Sequence, residues 1–522
     1  MRRLLWCPVL LWGMFVCAHA FAQKSTPIRC TADLLQFDNG FFPDAQVFTG
    51  NVEFSHEEST GYADTVFYYE KANRIEATGK ELIIHINDSV HLYGKTLRYD
   101  GNSRIAVLEG NVMLFDNYSV LYTDRLVFYR DDHCAFYEHG GRIVSDSAEM
   151  TSEQGYYHTN TKDAYFRREV RVRHPDFSME ADSLRYNTQQ KVVYFIGPTR
   201  MYADSDFVYT ESGKFVTRTE EAELYGRSKV YSAKHFLTAD TICFDHLKDA
   251  GKAWSRVFLQ DTCEKHFISG HYLEYDGGKG YVFATEKAMA VYVQEKDSLF
   301  LHADTLWVHL DSHKRMSGAE AYPQLRFFHP AYQGRCGRLT YSAADSVAEM
   351  TLGPLFWNDS TQLSADTFRL YMQGRQWKEA RLLRHAFAGQ NVLCETRFNQ
   401  LKGDAMYVYF KDNRLDYMWV YPRAHCLYYI QEEDSSLIGV HQVEAEKMRV
   451  VFDSSEMSSI VFYRQVKGTF APEEEDKRFL PGFQWFSIHR PVDRDAIFEK
   501  DTYVPARWED EENADYEDDE DE

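Results

Sequence analysis

The sequence predicts an all-β chain of repeated antiparallel hairpins, and three observations support that prediction. The first is composition: 15% of residues are aromatic and only 13 of 522 are proline, which favours strands and leaves few of the breakers that mark disordered tracts. The second is a recurring phrase, Ala or Gly followed by an acidic or polar residue, then aliphatic or aromatic residues at alternate positions. Clear copies begin at Ala63, Ala181, Ala239, Ala303 and Ala365, and looser ones at Gly94, Thr123, Ala203, Gly270, Gly337, Gly403 and Ala445. The third is a glycine phrase at a nearly constant distance from the first. Val66 precedes Gly79 by 13 residues, Leu97 precedes Gly110 by 13, Leu184 precedes Gly197 by 13, and Leu339 precedes Gly353 by 14.

Taken in chain order, residues 1–22 read as an export signal. Arg2 and Arg3 form a basic start, Leu4 to Val16 an apolar run, and Ala18-His19-Ala20 or Ala20-Phe21-Ala22 a small-residue cleavage site. The run is short for a membrane span, and Val16 before Cys17 is unlike a lipoprotein signal. The mature chain is therefore expected to be exported, and soluble or peripheral to a membrane. Seven cysteines remain, Cys30, Cys134, Cys243, Cys263, Cys336, Cys394 and Cys426. Their sparse spacing is that of packed thiols more than of a disulfide scaffold. Cys243 with His246, and Cys263 with His266, offer soft ligands, but a strand would hold Cys243 and His246 about 10 Å apart. No metal is expected there.

The body of the chain follows. Each phrase alternates with a period of two, as a strand with one buried face does, and polar turns such as Asp100-Gly101-Asn102 join phrase to phrase. A glycine inside a strand marks a bulge or bend. Gly50, Gly79, Gly110, Gly197 and Gly353 are thus expected to fold successive strands at one height, and stacked bends make a trough. Residues of one parity would line it: Val66 and Tyr68, Leu97 and Tyr99, Leu126 and Phe128, Leu184 and Tyr186. The repeat carboxylates Asp64, Asp182, Asp240, Asp304 and Asp366 recur too often to be catalytic and read as polar positions at strand starts. No nucleophile elbow, P-loop or zinc-protease motif occurs, so neither an enzyme nor a cofactor is expected. A formal net charge of −22 argues against a nucleic-acid partner.

The alternation of Ala-Asp-x-Leu-x-Tyr with Gly-Asn-Val behind an export signal resembles the OstA-like (LptA/OstA) family of periplasmic lipopolysaccharide-transport proteins, most clearly over residues 29–202. Such a resemblance implies a twisted, V-shaped β-jellyroll, open at its ends, that carries acyl chains inside. It implies lipopolysaccharide or lipid A as ligand, other transport components at the inner and outer membranes as partners, and end-to-end self-association. Weaker repeats continue over 203–467. This chain is far longer than the small bridge proteins of that family and shows no C-terminal outer-membrane barrel. The function expected is a non-enzymatic lipid-binding carrier or bridge in the periplasm, free or peripheral to the outer membrane. The alternative is an exported structural or adhesive β-repeat protein without lipid cargo.

Beyond Lys467 the pattern changes. Residues 468–507 read as a linker with a cap, in which Phe483, Trp485 and Phe486 cover the last open strand. Residues 508–522 hold 11 acids among 15 residues, the composition of a disordered, solubilising tail.

Overall fold

The computed structural model describes residues 26–504, apart from 38–39, 43, 146–147, 233, 294–296, 359, 375, 394–395, 413, 432–435, 454–455 and 473–477. The expected export signal and acidic tail lie outside the described residues. Strand follows strand almost throughout, and the helical elements among the described residues are three single 3-10 turns. The chain divides into two compact units between Ala164 and Tyr165. The repeat runs through that position unchanged, so the sequence carries no punctuation that would mark the division.

In the first unit the strands Gln46–His56, Ser59–Tyr69, Arg74–Asn87, Val90–Asp100, Ile105–Phe115 and Ser119–Tyr129 each pair antiparallel with the next. Their alternation places Phe48, Val66, Ala77, Leu97, Leu108 and Leu126 opposite one another in a single buried row. Midway along, register slips between Thr49 and Val52, Tyr62 and Thr65, Tyr93 and Thr96, and Glu109 and Val112. Two of these slips carry a pair of left-handed residues, Gly50-Asn51 and Gly110-Asn111. Beyond the slip a second buried row forms from Phe54, Gly61, Ile84, Leu92, Leu114, Leu121, Ile143 and Met150. One strand thus contributes to two walls, one on each side of its bend, which is the jellyroll architecture.

The second unit repeats the device with different letters. Left-handed pairs recur at Arg168-Glu169, Ser255-Arg256, Glu286-Lys287, Leu352-Gly353, Arg384-His385 and Arg464-Gln465. Side chains other than glycine resist this conformation by about 1–2 kcal/mol each, so something must hold them. At several bends a repeat acid does. Asp240 binds Arg256 at 2.6 Å, Asp366 binds His385 at 3.1 Å, Asp404 binds Arg423 at 2.7 Å, and Glu446 reaches Arg464 at 3.5 Å. In the first unit Asp64 accepts the Lys80 N–H at 2.8 Å. Asp366 stands immediately before the strand Thr367–Gln373, as the sequence suggests, whereas Asp64, Asp240 and Asp404 lie inside their strands, beside the bends. Two of the expected glycine bends also differ. Gly79 sits at a register slip without a left-handed backbone, and at Gly197 the strand stops at Phe195 and restarts at Thr199.

Both halves of a bent strand feed one core. Ala380 and Leu382 precede the bend of Gln376–Leu393, Ala386 and Ala388 follow it, and all four join Leu306, Met406, Val420 and Met448 in one buried cluster. The expected linker begins instead as a strand, Lys467–Pro472, paired with Leu437–Ala445. Cys30, Cys134, Cys243, Cys263, Cys336 and Cys426 are free thiols, of which Cys134, Cys336 and Cys426 are buried and Cys263 is exposed. Cys394 lies outside the described residues.

Candidate functional site

The two walls of the first unit enclose a cavity of about 50 Å³. Leu97, Tyr99, Ala106 and Phe128 line it from one wall, Phe54, Gly61, Ile84 and Leu92 from the other, and Ile28 closes one side. Gly61 is required where it stands. A Cβ there would lie 2.1 Å from the Phe54 ring, so only glycine lets that ring lie flat across the neighbouring strand.

A polar cluster borders this apolar space. His56 Nδ1 lies 2.6 Å from the Tyr99 hydroxyl and 3.2 Å from an Arg130 nitrogen, both donors. His56 Nε2 lies 2.9 Å from the Thr26 carbonyl. These partners fix a neutral ring with the proton on Nε2. Burial, with Arg130 and Arg104 nearby, pulls the His56 pKa below its ordinary value, against the Thr26 carbonyl, which acts the other way. Burial likewise raises that of Tyr99. Glu57 pairs with Arg104 and, at 3.2 Å, with Arg130, while Asp131 takes Arg104 at 2.8 Å. Two guanidiniums thus meet two carboxylates. The cluster is balanced in charge and latches Thr26 onto the wall.

Of the residues expected to line a trough, Leu97, Tyr99 and Phe128 line this cavity. Val66, Tyr68 and Leu126 are buried in the same wall but lie away from the cavity lining. Leu184 and Tyr186 are buried within the second unit. Val66, Leu108 and Leu126 are 0% exposed, and the cavity beside them is about 50 Å³. The opposite wall, Phe54, Ile84 and Leu92, escaped the sequence reading. On the strands of Ile84 and Leu92 the buried parity changes across the bend, so a reading carried straight through assigns those two residues to the outside. The His56 latch had no visible signal, because its members are brought together only by register.

Residues 28–182 match the family described as OstA-like protein. Among solved structures, the chain is similar to the crystal structure of LptH from Pseudomonas aeruginosa, described as the LptA homologous periplasmic component of the conserved lipopolysaccharide transport device. Identity is 19%, the match covers 20% of this chain and 76% of that one, and the TM-score is 0.18. Comparison with curated proteins finds no match. Among the described residues no helix is long and apolar enough to cross a membrane. The family match thus falls on residues 28–182 of the 522.

Proposed function

We propose that the chain is a periplasmic, non-enzymatic carrier or bridge in lipopolysaccharide transport, and that the first unit takes an acyl chain between its walls. One observation carries this reading: a region matching the OstA-like family whose two walls turn apolar rows toward a shared interior with a cavity at Leu97, Tyr99, Ala106 and Phe128. The cavity of about 50 Å³ is smaller than a whole acyl chain, so uptake requires the walls to part. Each buried CH₂ contributes about 0.8 kcal/mol, and twelve of them would supply roughly 10 kcal/mol toward that separation. Other transport components, and end-to-end contact through unpaired strand edges, are the partners this reading implies.

The tight packing of Val66, Leu108 and Leu126 favours a second reading, an exported structural β-repeat protein without lipid. Mass spectrometry of gently purified protein separates the two. Bound lipid A or lipopolysaccharide at near-stoichiometric amounts is the expected result, and loss of the protein should lower surface lipopolysaccharide. Lipid-free protein together with normal surface glycolipid would favour the structural reading.

A further inference from the structure

The walls of the second unit present different outer faces. One is tiled with charge and aromatic rings: Lys252, Glu274, Phe283, Trp307 and Glu320 stand opposite one another on successive strands, with ion pairs such as Lys252 to Glu274 at 3.5 Å. That is an ordinary solvated face. On the other wall Gln333, Trp357, Gln362, Gly389, Gln400 and Leu427 form one cross-strand row. Their neighbours Leu363, Ala388, Leu401 and Cys426 belong to the shared core, so alternation turns this row outward. Yet its side chains are buried, because residues 478–504 lie across it.

The covering segment joins no strand ladder. Its main chain is bound by side chains of the wall. Gln400 donates from Nε2 to the Arg478 carbonyl at 3.1 Å and accepts the Leu480 N–H at Oε1 at 2.8 Å. Gln362 does the same one register further on, donating to the Gln484 carbonyl at 2.8 Å and accepting the Phe486 N–H at 2.8 Å. Each amide satisfies the carbonyl of one residue and the N–H of the residue two along, the pattern by which a strand recognises its neighbour. The Trp357 indole N–H fixes Gln362 at 3.2 Å. Between the two glutamines Gly389 leaves the seat for a ring, since a Cβ there would lie 3.0 Å from Phe483. Leu480 enters a pocket of Phe387, Leu427, Tyr429 and Val440. Lys402 donates to the Pro481 carbonyl at 2.6 Å, and at the far end Ser269 and His271 bind the carbonyls of Tyr503 and Asp501.

We propose that this face is a binding site for an extended polypeptide, read through its main chain, which the protein fills in cis with its own residues 478–504. The same segment of a second copy fills it in trans. Main-chain reading by buried glutamines demands an extended chain, and the anchors Leu480 and Phe483 make that chain this one. The segment follows the edge strand Lys467–Pro472 closely in sequence, and exchange of an identical element between copies is a low-cost route to association.

The test uses full-length protein with a protease site in place of 473–477, cut after folding. The cut segment is expected to stay bound in gel filtration, and a labelled synthetic peptide of residues 478–504 to exchange into the site. Gln362→Leu with Gln400→Leu, or Gly389→Leu alone, should lower peptide uptake at least tenfold while the strand signal in circular dichroism persists. Should those variants fail to fold, Lys402→Ala on the exposed rim is expected to speed peptide release several-fold. A segment that never exchanges, or peptide uptake indifferent to Gly389→Leu or Lys402→Ala, would overturn the proposal. Differently tagged intact copies that fail to co-purify after mixing at high concentration would overturn its second half.

Discussion

Leu97→Ala should enlarge the cavity of the first unit and turn it into a better host for an alkyl chain. Leu97 is 2% exposed and lines a space of about 50 Å³. Truncating a buried leucine to alanine costs about 2–5 kcal/mol, rising with the void left behind. Because the deleted carbons border existing space, the neighbours have little to collapse onto, and about 3 kcal/mol is expected. For a unit of this size that lowers the midpoint of its thermal transition by roughly 6–12 °C. Three methylenes of a guest would restore roughly 2.4 kcal/mol at about 0.8 each, which appears as ligand-dependent stabilisation. The assay is thermal unfolding of wild type and variant with increasing octanoate. The variant should regain several degrees and the wild type markedly fewer. A loss below about 1 kcal/mol, or no ligand-dependent gain in the variant, would refute the assignment of Leu97 to an expandable acyl site.

Further outcomes follow from other parts of the structure. Asp240→Ala removes the clamp on the left-handed Ser255-Arg256 pair; since Arg256 is half exposed, a loss of only about 0.5–1 kcal/mol is expected, read as faster amide hydrogen exchange at residues 254–258. His302 is buried, donates to or accepts from Thr502 at 3.0 Å, and has its pKa lowered from 6.5 to about 4, chiefly by burial, with Glu499 and Asp304 opposing and Arg326 and Lys287 assisting. The folded state therefore binds fewer protons than the unfolded one between these values. Stability should be complete above pH 6.5 and fall as pH drops toward 4, by up to about 3 kcal/mol, and His302→Gln should flatten that slope in denaturant titrations. Cys336 and Cys426 are buried with thiols pushed up to about 12, whereas Cys263 is exposed. In native protein at neutral pH an alkylating reagent should label Cys263 first and reach Cys336 and Cys426 only after unfolding, as peptide mapping would show.

Much of the fold was legible because strands write their period directly into sequence. Val66, Leu97 and Leu126 alternate with polar neighbours, and their spacing to the glycine phrases fixed the register that the structure displays. The second wall was not legible for a physical reason: a bulge inserts residues without side-chain chemistry in common. Gly50-Asn51 and Ser255-Arg256 adopt one conformation yet share no residue. Repeat acids such as Asp240 reveal their task only when the partner across the bend is known. Gln362 and Gln400 look like ordinary surface residues in the sequence. They become a site because pairing through Gly389 places them in one row, and because a segment some 80 residues downstream of Gln400 returns to cover them.

The most direct measurement is photocrosslinking in cells, with a photoreactive residue placed in turn at the inward positions Leu97, Leu126 and Phe128 and at the outward positions Arg98 and Val107. Lipopolysaccharide adducts at the inward positions alone are the predicted result. Inward positions that capture no lipid, or outward ones that capture it equally well, would contradict transport through the interior of the jellyroll.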